Sequence, residues 1–158
     1  MQTNEECIHR FYTAFQKLEY KTMQDCYAPE IIFNDPVFGI LEDDKARAMW
    51  EMLCKTAKNF MLVYSNIQLL DHEYATCDWT ATYTFSKTGR NVVNKIKAHM
   101  RLSNGKIVEH TDQFSLRKWC QQALGLPGKL FGWSNWLQNK VRRQARHNLE
   151  KFIKKPNS

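Results

Sequence analysis

With 158 residues, 43% of them hydrophobic and 13% aromatic, the chain is long enough to form one globular domain with a substantial core. It has no apolar run of about 18 residues, which argues against a transmembrane helix. The first ten residues have neither the basic start nor the apolar middle of a signal peptide. We therefore expect a cytoplasmic protein.

The net charge of +7 is concentrated at one end of the chain. Residues 140–158 carry seven basic residues and one acidic residue, so this segment accounts for six of the seven net charges. The rest of the chain is nearly neutral, and the basicity is a property of the final segment rather than of the fold. The five cysteines are scattered without metal-ligand spacing, and we expect them to be reduced, buried thiols.

The first half of the chain predicts three helices around a short strand. Thr3 and Glu6 form a capping-box pattern at the start of a helix over about 4–18. A short helix over about 20–27 should end before Pro29. A strand over 31–39 bends at Asp35-Pro36, and a third helix reaches about residue 58.

The second half alternates as strands do. Strands are predicted over 60–70, 74–87, 92–102 and 106–116, with turns at 88–91 and 103–106. Three helices followed by strands joined through tight turns indicate an α+β fold, an antiparallel sheet with helices packed on one side.

The tail predicts a short helix around 118–124, a loop through Gly125–Gly132, and a final helix capped by Ser134. We expect this basic final helix to be solvated and packed on its own domain, or exchanged with a dimer partner. A membrane surface, a nucleic acid or an acidic partner are the alternatives. Nucleic acid is disfavoured because no stacking aromatic side chains alternate with the bases.

The strand over 106–116 carries the most informative pattern. Its alternation places a histidine and an aspartate between apolar residues on one face: Val108, His110, Asp112, Phe114 and Leu116. A buried His-x-Asp pair is costly unless it is paired or used. Two candidate ligands without a third in register do not make a metal site.

Four segments together resemble the NTF2-like superfamily, in its SnoaL-like and ketosteroid-isomerase-like branch. They are FYTAF from Phe11, YAPEIIFNDPVFG from Tyr27, NGKIVEHTDQF from Asn104 and WCQQALGLPGKLFGW from Trp119. The resemblance covers residues 1–135 as one domain, and residues 136–158 form a basic amphipathic helix appended to it.

The resemblance implies a cone-shaped fold in which a curved antiparallel sheet wraps the N-terminal helices around a deep pocket. It also implies a homodimer formed through the outer face of the sheet. Members of the superfamily include isomerases, cyclases, epoxide hydrolases, dehydratases and pure binding proteins, so the fold predicts a pocket and not a reaction.

Asp35 falls where the isomerases of this superfamily carry a proton-shuttling aspartate, although Asp35-Pro36 could equally shape a bend. The partners of that aspartate are missing, because the positions of the oxyanion donors fall on Phe11 and near Ala98. Tyr12 follows Phe11 but points about 100° away along the helix. A true steroid isomerase is therefore not expected.

His110 and Asp112 resemble the acid/base positions of SnoaL-like cyclases, since a histidine can exchange a proton near neutral pH. The alternative is a structural pair that is simply hydrogen-bonded inside the core. Epoxide-hydrolase-like chemistry would need an arginine beside the acids, and the nearest candidate, Arg101, lies on the opposite strand face.

We accordingly predict Asp35, His110 and Asp112 as catalytic residues and no cofactor. Large side chains could line the pocket or serve as plain core: Phe11, Phe33, Trp50, Trp79, Tyr83, Phe114 and Trp119. The predicted partner is a small hydrophobic, polyketide- or steroid-like molecule. The alternative is a ligand-binding or interaction module without catalysis.

Overall fold

A computed structural model describes residues 2–155. It contains the helices α1 (Asn4–Gln16), α2 (Tyr20–Asp25), α3 (Asp44–Thr56), α4 (Leu116–Ala123), α5 (Leu126–Phe131) and α6 (Asn135–Lys154). Its strands are β1 (Tyr27–Asp35), β2 (Gly39–Glu42), β3 (Met61–Leu69), β4 (Tyr74–Phe85), β5 (Arg90–Ser103) and β6 (Lys106–Gln113). The predicted α+β architecture is confirmed.

α1 begins as its sequence predicts and supplies one wall of the core. Thr3 accepts the backbone N–H of Glu6, and the Glu6 carboxylate accepts the N–H of Thr3, which completes the capping box. The apolar stripe that follows is buried throughout, and Phe11 and Tyr12 are both fully enclosed.

The six strands form one curved, open sheet in the order β2-β1-β6-β5-β4-β3. All neighbours are antiparallel except β1 and β6, which run parallel. The expectation of a purely antiparallel sheet is therefore wrong at one pair. β6 can run parallel to β1 because the long segment from β2 to β5 separates the two strands, whereas strands joined by a hairpin must be antiparallel.

Two boundaries near the centre of the sheet differ from prediction. The helix expected over 20–27 ends at Asp25, and Tyr27 already begins β1. The strand expected over 106–116 ends at Gln113, because Ser115 caps α4 by accepting the N–H of Lys118. Leu116 thus belongs to α4 rather than to the strand face that carries His110.

The loop predicted through Gly125–Gly132 is in fact the helix α5. A Cβ on Gly128 would lie 1.8 Å from the Cys120 carbonyl oxygen, so only glycine allows α5 to pack this closely on α4. The glycines and the proline of this stretch suggest turns by their sequence, whereas the role of Gly128 is close approach between helices. Pro127 occupies the first turn of α5, where its missing N–H costs nothing.

α6 packs on the domain through the apolar stripe that the sequence predicts. Ser134 caps it as expected, and Leu149 is 3% exposed within the main core. Arg142 and Arg146 donate to the carbonyl oxygens of Pro36 and Phe38 in the β1–β2 turn, at 2.8 and 3.1 Å. The C-terminal helix is thereby anchored beside the end of β1.

Over residues 2–155, no helix is long and apolar enough to cross a membrane.

Candidate active site

His110 lies at the centre of an aromatic cage inside the sheet. It is 0% exposed, and its ring packs against four aromatic side chains from three elements, of which Tyr27 on β1 lies edge-on at 6.0 Å. Phe33 on β1 lies 5.2 Å away and Phe11 on α1 lies 5.6 Å away, both edge-on, while Trp50 on α3 stacks at 6.0 Å. The cage forms because the buried faces of α1, α3 and the sheet meet at this point.

Both ring nitrogens of His110 are hydrogen-bonded, one of them to Tyr27. The Tyr27 hydroxyl lies 2.7 Å from His110 Nδ1, and Trp50 Nε1 donates to the same hydroxyl at 2.7 Å. Because an indole N–H can only donate, Tyr27 accepts from Trp50 and its own proton is available for Nδ1. In the neutral tautomer that accepts this proton at Nδ1, Nε2 carries the histidine proton.

That proton points at Asp112, whose Oδ1 lies 2.8 Å from His110 Nε2. Trp79 Nε1 donates to the same oxygen at 3.3 Å. A directed chain of hydrogen bonds therefore runs from Trp50 through Tyr27 and His110 to Asp112. Every member is at most 6% exposed, so the chain satisfies polar groups that would be costly to bury unpaired.

Asp35 ends β1 on the same side of the sheet. Phe33 pairs in register with His110, and continuing that parallel register places Asp35 beside Asp112. Unlike His110, Asp35 is only half-buried. Its Oδ1 accepts the backbone N–H groups of Val37 and Phe38, at 2.9 and 2.6 Å, and so also shapes the turn.

Burial raises the pKa of the Asp35 carboxyl to about 6, and the charge of Asp112 adds to the rise, while the two backbone N–H groups oppose it. A carboxyl with such a pKa exchanges its proton near neutral pH. Among the three predicted catalytic residues, Asp35 therefore combines access with a suitable proton affinity.

Tyr12 brings a further polar group to this region. Its hydroxyl is the only buried side-chain polar atom in residues 2–155 that lacks a hydrogen-bond partner. The ring packs on Tyr64 and Trp79 and also meets the Phe11 ring edge-on, with centroids 5.1 Å apart. Burial and then the charge of Asp112 raise the pKa of Tyr12 well above its usual value, so the hydroxyl stays protonated.

The seven predicted pocket residues divide into two groups. Four are buried against one another or against the His110 chain: Phe11, Phe33, Trp50 and Trp79. The other three are half-buried: Tyr83, Phe114 and Trp119. Trp119 Nε1 donates to the Tyr83 hydroxyl at 2.7 Å, which ties α4 to β4.

The deep pocket expected around His110 stays a prediction. The rings of Phe11, Phe33, Trp50 and Trp79, which were expected to line it, pack against one another or against the His110 chain. Two surface depressions lie beside the start of α3, at Asp44 and Lys45, and neither is lined by His110, Asp112 or Asp35.

Arg101 lies away from the candidate site, as its strand face predicts. It pairs with Glu109 at 3.3 Å. Residues 2–155 contain no group of three or more histidine, cysteine or acidic side chains arranged to hold a metal ion.

The sequence pattern does not single out Tyr27, the residue that links Trp50 to His110, because it places this tyrosine at a helix end rather than in a strand. The strand begins four residues earlier than predicted, and its buried residues Tyr27, Ala28, Ile31 and Phe33 include three large apolar or aromatic side chains that a sequence pattern can register. Tyr27 also has a pKa raised well above its usual value by burial, so it remains a proton donor.

A family model described as the SnoaL-like domain matches residues 8–110 of this chain. That range includes α1 from its fifth residue onward, Asp35, Trp50, Trp79 and His110, and it ends two residues before Asp112. A search of curated proteins finds no match.

Solved structures share the fold at low sequence identity. A candidate polyketide cyclase from Pseudomonas putida is 18% identical, with a TM-score of 0.66 over 78% of this chain and 99% of that one. A protein with a ketosteroid isomerase-like fold from Catenulispora acidiphila, in complex with trimethylamine, is 13% identical, with a TM-score of 0.69 over 80% and 98%. A candidate SnoaL-like polyketide cyclase from a Jannaschia species is 13% identical, with a TM-score of 0.68 over 78% and 93%. At such identities the likeness shows the fold alone.

Proposed function

We propose, since the chain belongs to the SnoaL-like domain family, that it acts on a small hydrophobic carbonyl compound with Asp35 as the proton acceptor. The observation that carries this proposal is the half-buried Asp35 carboxyl, with a pKa of about 6, beside the enclosed His110–Asp112 pair. Two structural neighbours are named as candidate polyketide cyclases, and polyketides are carbonyl compounds of this class.

The roles of the three predicted residues differ in this proposal. Asp35 takes a proton from a carbon next to a carbonyl, the electron pair moves to the carbonyl oxygen, and Asp35 returns the proton to carbon. His110 has no free ring nitrogen and does not touch the substrate. It holds Asp112 in place, and burial, followed by the charge of Asp112, keeps the pKa of Asp35 high. No cofactor is required for this step.

Proton exchange tests the proposal without knowledge of the natural substrate. A set of enolisable hydrophobic ketones, beginning with 2-tetralone, is incubated with the protein in heavy water, and the loss of the α-proton signal is followed by NMR. We expect wild-type protein to accelerate exchange with an inflection near the pKa of Asp35, and Asp35→Asn to abolish the acceleration. Glu30→Gln, an exposed acid on the same strand, is the matched control.

Equal exchange rates for wild-type protein and Asp35→Asn across the whole set would contradict the proposal. A second candidate function would then be favoured, a non-catalytic module that binds a hydrophobic ligand. The observation in its favour is that both nitrogens of His110 are occupied within a filled core. Native mass spectrometry of the protein as purified, followed by release of any bound molecule, distinguishes a ligand-loaded carrier from an empty protein.

The same proposal includes a homodimer through the outer face of the sheet, in a cytoplasmic setting. Exposed apolar side chains on that face support the dimer, with Met61 and Val63 on β3 being 61% and 60% exposed. Met61 and Val93 lie in one cross-strand row, each paired in register with Thr82. The five free, buried cysteines agree with a reducing compartment.

A further inference from the structure

The outer surface of α5 and the start of α6 exposes five large apolar side chains within eleven residues. Their exposed fractions run from 48% to 67%: Leu126, Leu130, Phe131, Trp133 and Trp136. We call this surface the α5–α6 patch. Single exposed apolar residues are ordinary on a protein surface, but a cluster that includes two tryptophans indicates an interaction site.

The members of the patch touch one another. Leu126 and Leu130 lie one helical turn apart, and Trp133 Nε1 donates to the Leu130 carbonyl oxygen at 2.9 Å. The rings of Phe131 and Trp136 meet edge-on with centroids 6.5 Å apart. The Trp133–Leu130 and Phe131–Trp136 contacts connect α5 to the segment that leads into α6 and to the start of α6.

Basic side chains continue the patch along α6. Lys140 lies over the Trp136 ring, with its Nζ 5.7 Å from the centroid. Helical spacing places Arg143 on the same exposed face as Lys140, followed by Lys151 and Lys154. Glu150 is the only acid in α6.

The bases of α6 thus divide into two sets. Arg142 and Arg146 donate to the β1–β2 turn and anchor the helix to the domain. The other set is an exposed row that does not anchor the helix: Lys140, Arg143, Lys151 and Lys154. An apolar patch at one end and a row of cations along the same helix fit a surface that is both apolar and negatively charged.

We infer that the α5–α6 patch docks this protein onto an anionic lipid bilayer. Tryptophan, phenylalanine and leucine insert at the headgroup level, while lysine and arginine bind the acidic headgroups. A second copy of the chain fits poorly, because the exposed face of α6 is strongly basic and two such faces would repel each other. Nucleic acid would leave the leucine side chains without a partner.

Vesicle flotation with the full chain tests this inference. Vesicles of phosphatidylcholine with about one-third phosphatidylserine are compared with phosphatidylcholine alone, at low and at high salt. We expect binding to the anionic vesicles only, weakened by high salt. Trp133→Ser with Trp136→Ser should abolish it, and Lys140→Glu with Arg143→Glu should weaken it at least about tenfold.

Matched variants on other surfaces keep the test specific. Leu69→Ser with Leu70→Ser removes exposed apolar side chains at the end of β3, and Lys17→Glu with Lys95→Glu reverses exposed charges on other elements. Both should bind as the wild type does. Circular dichroism and thermal unfolding establish that each variant is folded.

Three results would overturn the inference. The first is no binding of the wild-type protein to anionic vesicles. The second is equal loss of binding in the patch variants and their matched controls. The third is conversion of a wild-type dimer into a monomer by Trp133→Ser with Trp136→Ser, which would make the patch an interface between two copies.

Discussion

At the scale of single residues, Asp35 links the stability of the protein to pH. Its carboxyl has a pKa of about 6 in the folded protein, against an ordinary value of 3.8. Between these values the unfolded chain binds fewer protons than the folded one, so the free energy of unfolding falls as pH rises from about 4 to about 6. Above that window the ionised, half-buried Asp35 is a net cost.

Asp35→Asn is therefore expected to stabilise the protein at about pH 7, on the order of 2 kcal/mol, and to change it much less at about pH 4. The asparagine Oδ1 can still accept the N–H groups of Val37 and Phe38. Urea unfolding at both pH values measures the effect, with Glu30→Gln as a control that should show no such difference. An equal gain at both pH values would mean that the Asp35 pKa is not raised.

Tyr27 is the second residue with a measurable consequence. Tyr27→Phe keeps the ring but removes the hydroxyl, which leaves Trp50 Nε1 and His110 Nδ1 buried and unpaired. We expect a loss of about 2 to 4 kcal/mol in the free energy of unfolding.

Tyr83→Phe is the matched control, since it removes one bond, from Trp119, at a half-buried position and should cost about 1 kcal/mol. If the two variants lose the same amount in urea unfolding, the Trp50–Tyr27–His110 chain is not a special feature of the core.

At the scale of elements, α6 illustrates how a helix is joined to a domain. Leu149→Ala opens space in the main core, where the leucine is 3% exposed, and should cost about 2 to 4 kcal/mol. Ile153→Ala, one turn further on and 46% exposed, should cost less than about 1 kcal/mol. Thermal or urea unfolding of both variants checks this, and a negligible effect of Leu149→Ala would indicate a helix that detaches freely.

The predicted and observed helices and strands together show which features sequence patterns can predict. The alternation in β4 and β5 and the Thr3–Glu6 capping box are confirmed, because each depends on neighbours within a few residues. The sequence does not predict the helix α5, because its Gly128 suggests a turn although the residue is needed for close packing on α4. Gly128 lies against the Cys120 carbonyl, and a contact between two separate helices cannot be read from the local sequence pattern.

At the scale of the whole molecule, the outer face of the sheet makes the proposed dimer testable. Val63→Glu with Val93→Glu places charges among the exposed apolar side chains of β3 and β5, and should convert a dimer into a monomer. Sedimentation equilibrium measures the mass, and Leu70→Glu, an exposed residue beyond β3, is the control. A monomeric wild-type protein would contradict the proposed dimer.

The sequence by itself determined the α+β class, the strand face that carries His110 and Asp112, and the family resemblance, because alternation and short motifs are local. It also placed the bases in the last helix. Only the tertiary structure decided that Tyr27 and Trp50 complete a hydrogen-bond chain to His110, since these residues come from β1, α3 and β6. It alone partly buried Asp35 at the end of β1 and brought it near Asp112 across the parallel β1–β6 pair, and burial and then that charge raise the pKa of Asp35. Burial and charge act through space, so the environment of a titrating group emerges only when distant segments meet.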